Sequence, residues 1–358
     1  MTFAAGSPED FMAVRHVVLR GSQYEIGRAL ARQAPPVRPV PIDPAVGAAR
    51  RTWFERNWPQ HLARTAGIAE QAGFDPSRDD LALDGLGTLP SWSGCSAVFD
   101  GKSTLGRNYD FFTLAEDQME QVIQGEAPRP SEQPPWASRP YVITTVPEDG
   151  LASTVLTMAN LDGATEGINE SGLAVALLIG DIENARPAPG GGPKAGLSLI
   201  QLVRFLLDTC EDVEQAKRAL LGAKQYDDGL RCHYLVADAS GAAFVWERGA
   251  HDSEHVVEVA DGPLCVTNHP LHQHPDVSAL PADTPESFLT YQRLRTLTEH
   301  LGDPVRESLD LVAVPSTPDS PWCTLWRTVF DLPARTMSVR FWLGADRHSE
   351  EIVFGAGR

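Results

Sequence analysis

The sequence predicts a layered α+β fold, and three observations carry that prediction. Strand-like and helical stretches alternate in blocks, giving sheet, helix pair, sheet, helix pair, sheet, an order that suits stacked layers. The strict βαβ alternation of a doubly wound sheet is missing. With 42% hydrophobic residues over 358 positions, the chain has material for a substantial core.

The elements follow in order. A short β run, His16 to Leu19, leads through Gly21 into a helix whose start carries Ser22 and, three residues on, Glu25, a capping-box spacing. A proline-rich connector (Pro35, Pro36, Pro39, Pro41, Pro44) precedes one helical stretch over about 46–72. Strand-like runs then occupy 96–100, 103–109, 141–146, 152–159 and 173–179. Helical periodicity returns at 197–209, with Leu199, Leu202, Phe205 and Leu206 on one face, and at 212–222. Strands are predicted at 233–238, 243–248, 254–259 and 264–267, helices at 285–301 and 305–313, and closing strands near 322–330, 336–343 and 351–354. The polar, proline-rich stretch 114–140 and residues 183–196 read as loops; long loops in compact domains often serve as lids or binding elements.

Composition excludes several function classes. The net charge of −18 argues against nucleic acid or an anionic membrane as partner. Residues 1–94 hold ten arginines and ten acidic residues, so the whole negative excess falls after position 94. No apolar run of about 18 residues predicts a membrane span, and the N-terminus lacks the pattern of a secretory signal. Five cysteines (95, 210, 232, 265, 323) show neither metal-ligand spacing nor a disulfide framework. A cytoplasmic protein with reduced thiols is the simplest expectation.

Cys95 is the most informative residue. It stands in Ser-Trp-Ser-Gly-Cys-Ser, followed by Ala97-Val98-Phe99, a turn at Asp100-Gly101-Lys102, and a second run ending in Gly-Arg-Asn-Tyr-Asp at 106–110. Two β runs joined by a glycine-containing turn predict a hairpin, which brings Cys95 back beside Arg107 and Asp110. A thiol next to a guanidinium gains thiolate character, and the thiolate is the nucleophile. Against this stands the ordinary role of a lone cysteine as a small core residue. His269, His272 and His274 lack matching partners at ligand spacing, so no metal is predicted. Ser96 has no nucleophile elbow around it.

These residues, with others in order along the chain, resemble the N-terminal nucleophile (Ntn) hydrolases of the penicillin acyltransferase type, relatives of the choloylglycine (bile salt) hydrolases. Leu19–Gly27 resembles that family's propeptide motif, and Gly94-Cys95-Ser96 its self-cleavage site. Gly106–Asp110 resembles its hairpin motif, and Gly167–Val175 the approach to a central strand. Val266-Thr-Asn-His-Pro (266–270), Thr290–Leu294 and Thr324–Leu332 resemble three later motifs.

The resemblance implies a four-layer αββα sandwich with two mainly antiparallel sheets. It implies that residues 1–94 form a propeptide or α-subunit wrapping the core, and 95–358 a catalytic β-subunit. Cys95 would attack the Gly94 carbonyl, Gly94 adopting the strained backbone this needs. The freed α-amine of Cys95 would then serve as base. By motif, Arg107 would line the site beside the thiol, Asp110 orient the amine, Asn268 donate to the oxyanion and Arg293 steady the cluster; Arg295 is two residues away, and either arginine could instead be a surface salt-bridge partner. Trp92, Tyr109, Phe111 and His269 would contact substrate. Bile salt hydrolases carry an asparagine where this chain reads Leu177-Leu178-Ile179-Gly180, so a backbone N–H is expected in its place. The implied partner is a small-molecule amide or acyl donor, with no cofactor; a homo-oligomer is left open. Hydrolysis and acyl transfer share the acyl-enzyme, and a non-processing ligand-binding homologue is the alternative from another class.

Overall fold

The computed structural model describes residues 3–33, 39–83, 94–158, 161–184, 195–225, 230–249, 253–259, 262–317 and 320–357. Two sheets dominate. The larger has nine strands, laid side by side in chain order: Ala5–Gly6, Ala13–Gly21, Tyr141–Pro147, Ser153–Thr157, Glu166–Asn169, Ala174–Ile179, Cys232–Ala237, Ala243–Arg248 and Glu254–Glu258. All neighbours are antiparallel except Ala13–Gly21 and Tyr141–Pro147, which run parallel with Arg15 opposite Tyr141. The second sheet runs Leu264–Val266, Gly94–Phe99, Thr104–Phe112, Trp322–Asp331, Thr336–Gly344, and the last of these also pairs Arg347–His348 and Ile352–Gly355.

The distribution of apolar side chains stacks these sheets. Between them lie Val142, Leu156, Ile168, Ala176 and Leu235 from one and Ala97, Phe99, Tyr109, Phe111, Trp326 and Phe330 from the other. The opposite face of the larger sheet buries Ile143, Val155, Val175 and Leu177 against Ile26, Leu30, Phe54, Trp58, Leu202 and Leu206. Five of the six come from helices Gln23–Gln33, Pro44–Asn57 and Leu199–Thr209, and Trp58 stands at the junction between Pro44–Asn57 and Pro59–Ala72. The outer face of the smaller sheet packs Val98 on Leu297, Val305 and Leu309, from helices Thr290–Glu299 and Val305–Leu311. Helix, sheet, sheet, helix is the αββα sandwich.

The N-terminal segment does more than wrap this core: its strand Ala13–Gly21 lies inside the larger sheet. Its first helix starts as the capping box requires, with the Ser22 N–H donating to Glu25 and the Glu25 N–H to Ser22 Oγ. That helix crosses Pro59–Ala72 so closely that a Cβ on Gly27 would sit 2.0 Å from the Arg64 carbonyl oxygen. Only glycine permits that approach.

Several expected boundaries shift for local reasons. The helix expected over 46–72 is two helices, broken where Trp58 (φ −150°, ψ 61°) precedes Pro59; proline clashes with a helical residue before it. The stretch 114–140 holds a helix, Glu116–Ile123, with Glu116 and Asp117 in its first turn, where the helix dipole favours acids. The helix expected from 285 begins at Thr290, because Phe288 and Leu289 adopt φ of 52° and 58°. The strand Glu166–Asn169 was not anticipated. Most of 183–196, including its glycine run, lies outside the described residues, as does Trp92.

Candidate active site

The expected hairpin forms. In it Gly94 faces Asp110, Cys95 faces Tyr109 and Ala97 faces Arg107. Alternation of side chains along a strand then sorts the motif. Cys95, Arg107, Tyr109 and Phe111 point into the space between the sheets, whereas Ser96, Asn108 and Asp110 point towards the outer helices.

On the inner side, Arg107 Nη2 donates to Cys95 Sγ at 3.2 Å. Arg107 is itself held by Glu166, which reaches across from the facing sheet. Trp326 Nε1 and Thr328 Oγ1 each donate to the other Glu166 oxygen at 2.7 Å. Glu166 is fully buried and was missed by the sequence reading. Its only signal was its place one residue before the Gly167–Val175 motif. Arg107 also lies over the Tyr109 ring, 4.8 Å from its centroid, and Tyr109 stacks on Trp326 at 4.0 Å and on Phe111 at 5.6 Å. Among the described residues, Arg107 Nε and the Tyr109 hydroxyl have no partner although both are buried.

On the outer side, the Cys95 backbone N–H donates to Asn268 Oδ1 at 2.7 Å. Arg293 Nη1 donates to the Cys95 carbonyl oxygen at 2.6 Å and to Ser96 Oγ at 2.8 Å, and its Nη2 to Asn268 Oδ1 at 2.9 Å. Asn268 Nδ2 donates to the Ile179 carbonyl at 2.8 Å, which leaves one amide N–H unspent. The left-handed turn at Phe288 and Leu289 aims the Phe288 carbonyl at Arg293 Nε and Nη2; such residues cost about 1–2 kcal/mol each. Arg295 instead caps the carbonyls of Leu280 and Pro281, so Arg293 is the arginine at the cluster.

Asp110 Oδ1 accepts from Thr324 Oγ1 at 2.6 Å. Arg293 Nη1 lies 3.5 Å from Asp110 Oδ2, close enough for attraction but not aligned for a hydrogen bond, so Oδ2 is unfilled. Burial pushes the Asp110 carboxyl up to about 6, against the pull of Arg293 and the Thr324 bond.

Four expectations change. Burial pushes the Cys95 thiol above its ordinary value despite Arg107, so in the uncleaved chain the guanidinium does not deliver a standing thiolate. Gly94 has no positive φ; a Cβ there would lie 2.2 Å from the Trp322 ring, so close packing and not backbone strain requires glycine. His269 is held against helix Thr290–Glu299. Its Nδ1 lies 3.1 Å from Thr290 Oγ1, and its ring packs against Tyr291 and His274; burial pushes it down to about 3 and keeps it neutral. In the Leu177–Gly180 region, the Gly180 and Ile182 N–H groups already donate to the Arg231 and Asn268 carbonyls. Among the described residues, no three His, Cys, Asp or Glu side chains are placed to hold a metal, and no helix is long and apolar enough to cross a membrane.

The sequence profile of the family described as acyl-coenzyme A:6-aminopenicillanic acid acyl-transferase matches residues 99–344. The chain belongs to that family, and is an enzyme of the amidohydrolase and acyltransferase class. No curated protein matches it significantly. Among solved structures it is similar to penicillin V acylase from Agrobacterium tumefaciens, with 21% identity and a TM-score of 0.45 over 70% of this chain and 83% of that one. A variant of conjugated bile acid hydrolase from Clostridium perfringens gives 14% identity and a TM-score of 0.47 over 73% and 92%. The Caenorhabditis elegans N-acylethanolamine-hydrolyzing acid amidase ortholog gives 12% and 0.41 over 67% and 92%.

Proposed function

We propose that this protein is a self-processing cysteine amidase that cleaves the linear amide bond of an N-acyl small molecule through a Cys95 acyl-enzyme. The observation that carries this reading is the double grip on Cys95: Arg107 on its sulfur and Asn268 with Arg293 on its backbone. A core cysteine needs neither.

In processing, Cys95 Sγ bonds to the Gly94 carbonyl carbon. The Gly94–Cys95 C–N bond breaks, the nitrogen takes up the thiol proton, and water cleaves the thioester to leave a Gly94 carboxylate and a free Cys95 amine and thiol. The new amine would occupy the position of the present N–H, beside Asn268 Oδ1. Because burial holds the thiol protonated, an adjacent base is required, and an α-amine with a reference pKa near 8 can fill that role. In turnover the sulfur bonds to the substrate carbonyl, the leaving amine takes the proton, and water resolves the acyl-enzyme. The remaining Asn268 N–H is available to the oxyanion. Tyr109 and Phe111 would face the acyl group. Residues 1–94 would stay bound as the α-subunit, since strand Ala13–Gly21 is shared with the larger sheet.

Acyl transfer, with an amine in place of water, is the second reading, favoured by the family description itself. Intact mass spectrometry of the wild type beside Cys95→Ala tests processing. Pieces of 94 and 264 residues in the wild type alone are expected. One intact chain in both would sink the α-amine mechanism and favour a non-processing, ligand-binding homologue.

A further inference from the structure

Asn268 stands just past the end of strand Leu264–Val266, and the turn that follows it is tied to a residue no motif marked. Glu247, buried in strand Ala243–Arg248, accepts the Leu271 N–H at 2.5 Å and the His272 N–H at 3.3 Å, and the His272 ring bonds to it as well. Its Oε2 also lies 2.6 Å from His233 Nε2, and His233 Nδ1 lies 3.0 Å from the Thr267 carbonyl oxygen. One carboxylate therefore spans the Asn268 turn from both sides, directly at Leu271 and His272 and through an imidazole at Thr267.

The chemistry of the two contacts sets the state of the ring. A carbonyl oxygen only accepts, so Nδ1 donates. Burial pushes Glu247 up, but the bonds from His233, His272 and Leu271 outweigh it and hold the carboxyl at about 2, so His233 Nε2 faces a carboxylate. His233 and Glu247 thus form a sealed hydrogen-bonded pair; both side chains are at most 1% exposed.

We propose that His233 and Glu247 are positioning residues for Asn268, holding the Thr267–His272 turn so that the Asn268 amide stays on the Cys95 nitrogen with its free N–H towards the reacting carbonyl. The proposal rests on the amide-bond reading above. It differs from a purely structural buried pair in what it predicts for kcat. The Asn268 backbone is also held by Thr290 Oγ1 at 2.7 Å and Ile182 N at 2.9 Å, so loss of the brace misplaces the amide without releasing it.

The test compares wild type, His233→Phe and Glu247→Gln by crystal structure and by hydrolysis of phenylacetyl and octanoyl para-nitroanilides. In His233→Phe, kcat is expected to fall about 10–50-fold, the scale of a misplacement approaching an ångström, with KM unchanged and the Asn268–Cys95 bond lengthened past hydrogen-bonding distance. Glu247→Gln places a single amide atom where Oε2 meets both the Leu271 N–H and His233 Nε2: an oxygen there keeps Leu271 but loses the carboxylate's charge on His233, and a nitrogen gives up Leu271, so kcat should fall about 3–10-fold, less than in His233→Phe. His233→Asn, which can reach Glu247 but not Thr267, should repeat the His233→Phe result and stands in for it if the larger ring prevents folding. Wild-type kcat and an unmoved Asn268 in either His233 variant overturn the proposal. If wild type hydrolyses neither anilide, the probes have not supported the amide reading, and the Asn268–Cys95 distance in the variants decides the brace alone.

Discussion

Two buried arginines invite comparison. Arg64, in helix Pro59–Ala72, and Arg107, in the hairpin of Gly94–Phe99 and Thr104–Phe112, are both at most 1% exposed. Arg64 donates from Nε to Asp162, from Nη1 to Gln23 and from Nη2 to Asp208. His61 and Arg204 complete the same cluster. Every nitrogen of Arg64 is spent on oxygen. Arg107 has one carboxylate, Glu166, turns a second nitrogen to the weakly accepting sulfur of Cys95, and leaves Nε unpartnered among the described residues. The difference teaches what distinguishes a rivet from a tool: burial and charge are equal, and leftover bonding capacity is not. Arg64 ties helices Gln23–Gln33 and Pro59–Ala72 to helix Leu199–Thr209 and to Asp162, while Arg107 keeps bonding capacity beside the Cys95 sulfur.

The largest effect is expected from Arg64→Met. It takes the arginine from both Asp162 and Asp208, leaving them to His61 and Arg204, and breaking a buried pair costs about 3–5 kcal/mol; denaturant unfolding reads this out, and the Arg107–Cys95 contact should persist in the folded protein. Arg107→Lys keeps a charge but loses the planar fork that reaches Glu166 and Cys95 together. A fall in kcat of about 100-fold is expected, with a far smaller loss of stability than in Arg64→Met. Equal destabilisation by both variants would erase the contrast.

The smallest effect is one of pH. The Asp110 carboxyl sits above its unfolded value, at about 6, so its ionisation opposes folding: the penalty is absent below the unfolded pKa and complete once pH has risen past 6. Asp110→Asn should therefore raise the melting temperature, relative to wild type, more at pH 8 than at pH 4, while losing function. A pH-independent difference would mean that Asp110 titrates normally and that its cavity is wetter than described.

Local chemistry in the sequence determined a great deal. Ser22 and Glu25 set a helix start, the Asp100-Gly101 turn set a hairpin, and that hairpin's register places Cys95 between Tyr109 and the neighbours of Arg107. Pro59 likewise marks a break that the periodicity hid. Such features depend on backbone preferences and side-chain alternation over a few residues, which any reader of the chain can count. The tertiary structure alone decided that Glu166 comes from the opposite sheet to hold Arg107 and that Trp322 is what demands glycine at position 94. It decided too that burial outweighs the guanidinium at the thiol, that Arg293 rather than Arg295 grips Cys95, and that His269 faces a helix. Each of these turns on which distant surfaces meet and how much water is shut out, and desolvation between stacked sheets is a property of the packed layers that no local spacing encodes.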